Sequence, residues 1–209
     1  MELRLLSVNI GQPRQIGMRA GEPLISAIAK EKTGAPAIHV GALGLEGDAV
    51  ANPAVHGGVD KAVYAYPADN WAWWEMEKNF PCRPAAFGEN LTLRGADETD
   101  IHIGDRFAWG EAILEVSQPR SPCHKFQIYS GRENASMLMT LSGRCGWYLR
   151  VVKEGVAATD APLARITLGP GPDLRTVFFA AFGNKVEPAV KAEIADKPAL
   201  AEAWRVKVR

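Results

Sequence analysis

The chain has 209 residues, which is enough for one full hydrophobic core and a small additional element. Its 24 basic and 24 acidic side chains cancel, so no overall field attracts nucleic acid or an anionic membrane surface. The N-terminal segment lacks the basic leader of a signal peptide, and no apolar run approaches the ~20 residues of a membrane span. We therefore expect a soluble, cytoplasmic protein that binds neither nucleic acid nor membranes, in which any anion site is local.

From Leu3 to about Leu168 the sequence consists of short β-branched or apolar runs separated by glycine and proline, a pattern typical of a β-barrel or sandwich. The runs on either side of Gly110 indicate two strands joined at that glycine. The predicted strands cover residues 3–10, 37–45, 62–66, 89–93, 112–118, 147–155 and 163–168.

One helix is predicted to interrupt these strands, at residues 67–80, because Pro67 suits the first turn of a helix. Trp71, Trp74 and Lys78 fall on one face of this helix. We interpret the tryptophans as core packing rather than ligand stacking, since aromatic side chains at helical spacing usually bury area.

The C-terminal segment is alanine-rich and contains no further strand-like run. Leu174, Val177 and Phe178 are spaced as on one face of a helix, and glycine and proline punctuate the rest. We predict a β domain at residues 1–168 and an extension of three short helices at residues 173–209, which makes the fold class mainly β with α.

The segment VHGGVDK precedes a predicted strand and concentrates polar residues. Gly57 and Gly58 allow the backbone to turn or to approach a ligand closely, while His56, Asp60 and Lys61 add donors and charge. The segment is either a tight turn with exposed polar residues or a ligand-binding loop.

Two further polar segments adjoin predicted strands. Glu89 and Asn90 follow a glycine at the start of one strand, where the Asn90 amide either binds a ligand or satisfies nearby backbone. Arg144 lies in a glycine-flanked turn before another strand, which suits phosphate recognition or a surface ion pair.

The three cysteines, Cys82, Cys123 and Cys145, form no C-x-x-C pair, which fits neither a disulfide framework nor a four-ligand metal site. Cys123 lies in the segment SQPRSPCHKF, close to Arg120 and Lys125. A thiol becomes a nucleophile or metal ligand as the thiolate, which nearby cations favour. Composition alone leaves Cys123 open between a packed thiol and a reactive one, because an arginine and prolines also flank Cys82.

Cationic side chains recur in these segments, and together they predict an anion pocket around one thiol in an otherwise neutral protein. They are Lys61, Arg120, Lys125, Arg132 and Arg144. The chain has no G-x-G-x-x-G after a strand, no G-x-x-x-x-G-K-[ST] and no H-E-x-x-H. A redox role would therefore need electrons from another protein.

Five motifs occur in a fixed order that resembles the MOSC domain, named for the C-terminal domain of molybdenum-cofactor sulfurases, and in particular its YiiM-like branch. They are GLEGDAVANPAVHGGVDKAVYAYP, FGENLTLRG, IGDRF, EVSQPRSPCHKF and SGRCGWYLRVVKEG. The resemblance covers roughly residues 1–165, and the tail resembles the three-helix extension that follows this domain.

The resemblance implies a β-barrel-like fold whose pocket binds the molybdenum cofactor, a pterin dithiolene with a phosphate and a molybdenum–oxo centre. It implies that Cys123 is the molybdenum ligand and the catalytic residue. The other implied cofactor-binding residues are His56, Gly57, Gly58, Asp60, Lys61, Glu89, Asn90, Arg120, Lys125 and Arg144. Cys145 departs from the threonine frequent in relatives and adds a second thiol near the expected pocket.

YiiM-like proteins are associated with reduction of N-hydroxylated compounds, notably hydroxylaminopurines. The implied reaction converts R–NHOH, two electrons and two protons to R–NH2 and water, and the implied electron donor is a separate flavoprotein reductase. Two alternatives stay open. One is a carrier of persulfide sulfur or of the cofactor without turnover, and the other is a binding module in which Cys123 is only structural.

Overall fold

The computed structural model describes residues 1–183 and 186–209; positions 184 and 185 of the predicted extension lie outside the described residues. The strands are β1 Glu2–Ile10, β2 Arg14–Arg19, β3 Glu22–Ser26, β4 Glu31–Lys32, β5 Ala37–Gly41, β6 Gly44–Leu45, β7 Val63–Pro67, β8 Leu91–Arg94, β9 Arg106–Trp109, β10 Ala112–Pro119, β11 Trp147–Lys153, β12 Gly155–Ala158 and β13 Leu163–Thr167. The α-helices are α1 Pro53–His56, α2 His124–Ser130, α3 Ala135–Ser142, α4 Leu174–Phe182, α5 Pro188–Ala195 and α6 Glu202–Val208.

Seven strands close a barrel in the order β13, β9, β10, β11, β7, β8 and β1, which pairs again with β13. Strands β7 and β8 run parallel, and the other pairs of the barrel are antiparallel. Strand β4 pairs with β1, while β12, β5 and β6 form a small separate sheet and β2 and β3 form a hairpin. The predicted class, mainly β with helices around a barrel, is confirmed.

Every predicted strand has a counterpart, with ends shifted by a few residues. Gly110 joins β9 to β10 as predicted and has a φ of +57°, which glycine adopts without strain. Residues 37–45 form the short hairpin of β5 and β6 rather than one strand. The hairpin of β2 and β3 was not predicted, because its mostly exposed residues show no run of buried alternation.

The predicted helix at residues 67–80 is present in irregular form. Pro67 still belongs to β7, a 3₁₀ turn covers Ala68–Asn70, and a π-helical turn covers Trp73–Glu77. Trp74 is fully buried, donates a hydrogen bond from its indole N–H to the Tyr66 hydroxyl at 2.6 Å, and contacts the rings of the core. The interpretation of this tryptophan as core packing is confirmed.

The prediction that one helix interrupts the strands is wrong, because α1, α2 and α3 also lie between them. Helices α2 and α3 end at Gly131 and Gly143, both in the left-handed conformation that favours glycine. In the sequence, these two glycines were the features that could have indicated the ends of α2 and α3. The helices themselves bury few side chains, so their apolar periodicity is weak.

The three C-terminal helices occur where alanine-rich sequence predicted them. Asp173 caps α4 by accepting a hydrogen bond from the Thr176 N–H at 2.9 Å, and Leu174, Val177 and Phe178 are buried. The buried carboxylate of Glu98, in the segment between β8 and β9, lies 3.4 Å from the guanidinium of Arg175 on α4. None of the described helices is both long enough and apolar enough to cross a membrane.

Candidate functional site

A cavity of about 870 Å³ opens on one side of the barrel. Its walls come mainly from five chain segments: residues 26–30 at the end of the β2–β3 hairpin, residues 43–51, the turn at 53–62, residues 87–90 before β8, and residues 120–125 between β10 and α2. Barrel side chains, including Tyr64 and Tyr148, complete the wall. Segments that are far apart in sequence therefore meet at one site.

Eight of the eleven predicted site residues line this cavity, which supports the grouping made from motifs. They are His56, Gly57, Gly58, Lys61, Asn90, Arg120, Cys123 and Lys125. The structure does not bring Asp60, Glu89 or Arg144 to the cavity wall.

Cys123 immediately precedes α2 and has an extended backbone conformation. Its carbonyl accepts hydrogen bonds from the Ser136 hydroxyl at 2.7 Å and from the Phe126 N–H at 3.1 Å. Helix α3 therefore fixes the backbone of this residue, while the half-buried side chain lines the cavity.

Arg120 is 5% exposed. No ion pair within the described ranges includes its guanidinium, so no carboxylate there neutralises its charge. Its Nη1 donates to the Met139 sulfur at 3.1 Å, and the guanidinium carbon lies 5.3 Å from the ring centroids of both Tyr64 and Phe126. A buried cation costs free energy unless it is paired, so an anionic ligand is the natural counter-charge.

His56 ends α1 and contributes an imidazole to the cavity. Burial, followed by the positive charges of Lys125, Lys61 and Arg120, lowers its pKa to about 4. The imidazole is therefore neutral at pH 7. Burial also lowers the pKa of Lys61, although Asp60 opposes that effect. The cations that act on His56 make this end of the cavity electropositive, whereas the shift of Lys61 reflects its burial.

Gly57 and Gly58 form a turn, as one interpretation of this segment expected, and the turn lines the cavity. Gly58 has a φ of +99°, a conformation that an L side chain rarely adopts. A Cβ on Gly57 would lie 3.0 Å from the Pro53 backbone. Glycine therefore lets the main chain itself form part of the wall.

Asn90 joins three segments from the cavity wall. Its Oδ1 accepts a hydrogen bond from the Tyr64 N–H at 3.0 Å, and its Nδ2 donates to the Asn9 carbonyl at 3.2 Å and to Asp48 Oδ2 at 2.8 Å. Asp48 also forms a 2.5 Å ion pair with Lys30, and both side chains are about nine-tenths buried. This pair was not predicted, because the GLEGD motif alone does not reveal a partner 18 residues upstream.

The predicted residues outside the cavity have structural partners. Asp60 forms a 2.7 Å ion pair with Arg150, next to the cavity turn. The buried Glu89 carboxylate accepts hydrogen bonds from the Ala85 N–H at 2.8 Å and the Phe87 N–H at 3.0 Å, so it shapes the loop before β8.

Arg144 faces a different part of the molecule. Its guanidinium donates to Asn70 Oδ1 at 2.5 Å and lies 5.4 Å from the Trp73 ring centroid. Arg132 also lies elsewhere, where it donates to the carbonyls of Lys78 and Asn79. Of the five cations predicted to surround one pocket, Lys61, Arg120 and Lys125 therefore line the cavity, whereas Arg132 and Arg144 do not. The ion pair of Lys30 and Asp48 also lines it.

The three thiols have different environments. Cys145 is fully buried, and burial followed by the charge of Glu98 raises the pKa of its thiol well above the usual value. Burial, followed by the charges of Glu75 and Glu89, raises the pKa of Cys82 to about 12. Neither of these two lines the cavity, which leaves Cys123 as the cavity thiol in the part of the chain that the structure describes.

His124, adjacent to this thiol, does not line the cavity, and its Nε2 accepts a hydrogen bond from Arg19 Nη1 at 3.1 Å. No group of three or more His, Cys, Asp or Glu side chains within residues 1–183 and 186–209 is arranged to hold a metal ion. A metal bound at Cys123 would therefore need further ligands from a cofactor.

The chain was compared with known proteins. The model of the MOSC domain matches residues 52–165. The chain is 42% identical over 130 residues to protein YiiM of Escherichia coli strain K12, a match that spans 60% of this chain and 57% of that protein. It is 34% identical over 202 residues to the uncharacterized protein YflK of Bacillus subtilis strain 168, covering 96% of this chain and 90% of that protein.

A protein of Gibberella moniliformis named "Reductase" is 35% identical over 157 residues, which is 72% of this chain and 27% of the fungal protein. Among solved structures, YiiM from Geobacillus stearothermophilus superposes with a TM-score of 0.81 at 29% identity, covering 99% of this chain and all of that chain. These similarities include the barrel, the cavity segments and the C-terminal helices. The chain belongs to the MOSC domain family, whose domain type is that of the molybdenum-cofactor sulfurases.

Proposed function

We propose that the protein binds the molybdenum cofactor in this cavity and reduces N-hydroxylated compounds, including hydroxylaminopurines, to the corresponding amines. The observation that carries the proposal is the position of Cys123 in a cavity whose cationic wall is formed by Lys61, Arg120 and Lys125. Membership of the MOSC family and the relative named "Reductase" support the same chemistry.

The residues of the cavity fit the cofactor. A single thiolate from Cys123 suits a molybdenum ion whose remaining ligands come with the pterin dithiolene, because soft sulfur ligands match such a centre. Arg120, buried without a carboxylate, suits an anionic phosphate, as do Lys61 and Lys125. The backbone at Gly57 and Gly58 admits close approach by a flat ring.

The reaction takes R–NHOH, two electrons and two protons to R–NH2 and water. The cofactor, when bound, supplies the two-electron oxygen-transfer chemistry. The chain supplies Cys123 as a ligand and, in Lys61, Arg120 and Lys125, cations that hold the phosphate. His56 is neutral at pH 7 and can therefore accept or donate a hydrogen bond at the cavity wall without adding charge.

We propose a separate flavoprotein reductase as the electron donor, because the sequence carries no flavin, nicotinamide or iron–sulfur motif. The fungal relative gives indirect support, since the matched part is 27% of a longer protein that is named a reductase.

The test compares Cys123→Ala with the matched variant Cys82→Ala, after both proteins are reconstituted with the cofactor. We expect Cys123→Ala to lose bound molybdenum and turnover of hydroxylaminopurine, and Cys82→Ala to keep both. A Cys123→Ala protein that retains stoichiometric molybdenum would refute the ligand assignment. A wild-type protein that binds molybdenum but gives no multiple turnover with a chemical reductant would instead support a cofactor carrier.

A further inference from the structure

Helix α6 runs beside the segment that leads to Cys123. At the start of this helix the Ala201 N–H donates to the Ser117 carbonyl at 3.0 Å, and near its end Lys207 Nζ donates to Ser121 Oγ at 3.0 Å. Six helical residues span about 9 Å, and four extended residues span at most about 14 Å. The two attachments therefore align α6 with residues 117–121.

Helix α6 is itself held in place by buried side chains. Trp204 is 2% exposed, and its ring centroid lies 6.2 Å from that of Phe178 and 5.9 Å from that of Phe182, both on α4. Leu200 and Val208, on either side of Trp204, are also buried. An element anchored at three buried positions has little freedom to move against the barrel.

The head group of Lys207 is also restrained. Its Nζ lies 4.7 Å from the ring centroid of Phe182 and 5.3 Å from that of Trp204, at cation–π distance from both. The aromatic contacts hold the ammonium of an otherwise exposed lysine within reach of Ser121.

Helix α3 holds the same segment from another side. Met139 accepts a hydrogen bond from Arg120 at 3.1 Å, and the Ser136 hydroxyl donates to the Cys123 carbonyl at 2.7 Å. Residues 117–123 are thus restrained by α6 near their start and middle and by α3 at their end. Loss of either attachment would leave the thiol less precisely placed.

We propose that α6 positions Cys123, and that Lys207, acting through Ser121, is a positioning residue for the cavity thiol. The proposal rests on the proposed function for its significance, because the position of a thiol matters most if the thiol is a ligand. It assigns to the C-terminal helices a role in shaping the site.

The test uses the full-length protein without cofactor and measures the rate at which iodoacetamide modifies Cys123, followed by peptide mapping. Ser121→Ala removes the hydroxyl acceptor, and Lys207→Met keeps an apolar stem over the rings but removes the ammonium. We expect each to accelerate modification by about two- to fivefold, the scale of one exposed hydrogen bond. The double variant should react no faster than either single variant.

Lys207→Arg should restore the wild-type rate, since a guanidinium also donates to Ser121 and packs on aromatic rings. Lys197→Ala, which removes an exposed ion pair with Glu193 elsewhere in the C-terminal segment, is the matched control and should leave the rate unchanged. The melting temperatures of the Ser121 and Lys207 variants should equal that of the wild type, because the contact between Lys207 and Ser121 is exposed.

Unchanged rates in both single variants, or effects that add in the double variant, would overturn the proposal. Because the assay needs neither molybdenum nor turnover, this outcome is distinct from failure of the proposed function. A protein that binds no cofactor could still show the coupling between Ser121 and Lys207.

Discussion

The guanidinium Nη2 of Arg120 lies 3.9 Å from the Sγ of Cys123, three residues along the chain. The proline between them leaves this loop few backbone conformations, and the rings of Tyr64 and Phe126 flank the guanidinium. The cavity thiol therefore has a buried cation beside it. Cys145 also feels the charge of Arg120, but that thiol is fully buried and lies near Glu98, whereas Cys123 lines the cavity.

Replacement of this cation tests whether it serves ligand binding rather than stability. We expect Arg120→Met to change the free energy of unfolding by less than about 2 kcal/mol, because the cost of burying a cation opposes the contacts with Tyr64 and Phe126 that the substitution removes. The stabilisation of the protein by inorganic phosphate, measured as a shift in melting temperature, should decrease. Arg132→Met, outside the cavity, should retain the phosphate response; equal responses in both variants would contradict an anion site at Arg120.

Asn90 should contribute strongly to stability as well as lining the cavity. Asn90→Ala leaves the Tyr64 N–H, the Asn9 carbonyl and one Asp48 oxygen without this partner, at a cost of about 1–3 kcal/mol for a buried unsatisfied group. Denaturation with urea measures this loss. The matched variant Asn52→Ala removes an exposed side chain that makes no capping hydrogen bond, and should change stability by less than about 0.5 kcal/mol.

His56 makes stability depend on pH. Its folded-state pKa of about 4 lies below the unfolded value of 6.5, so between these values the unfolded chain binds more protons. Its contribution to stability is therefore complete above pH 6.5 and is lost as the pH falls toward 4. We expect His56→Gln to flatten the dependence of melting temperature on pH in this window.

Anion binding should offset the part of the His56 pKa shift that the neighbouring cations cause, while the larger effect of burial remains. A phosphate near His56 offsets the charges of Lys61, Lys125 and Arg120 and raises the pKa of the imidazole. Phosphate binding at pH 5 should therefore take up protons, which calorimetry in buffers of different ionisation enthalpy can measure. Proton uptake that persists in His56→Gln would assign the effect to another group.

The three thiols should differ in reactivity. Cys82 and Cys145 have raised pKa values, and Cys145 is also inaccessible, so both stay protonated at pH 7. In the native protein we expect iodoacetamide to modify Cys123 at least about tenfold faster than either, because the thiolate is the reactive form. In guanidinium chloride the rates of modification of the three cysteines should converge, because the unfolded chain has no distinct environments. If Cys82 of the native protein reacts as fast as Cys123, the proposed difference between their environments is wrong.

Much of the architecture could be predicted from sequence because it depends on local patterns. Short apolar runs between glycine and proline marked the barrel strands, Gly110 marked a turn, and alanine-rich sequence marked the C-terminal helices. Helices α2 and α3 were missed because most of their side chains are not deeply buried, so they leave little periodic signal.

The candidate site was also predictable only in part from the sequence. Ordered motifs in the sequence were sufficient to group Cys123 with His56, Lys61 and Arg120, because the two motifs that contain these residues line the same cavity. Sequence alone could not decide that Arg144 faces Trp73, that Lys30 pairs with Asp48, or that Lys207 reaches Ser121. These contacts join residues that are distant in the chain, and their geometry depends on strand register and helix packing, which only the folded barrel determines.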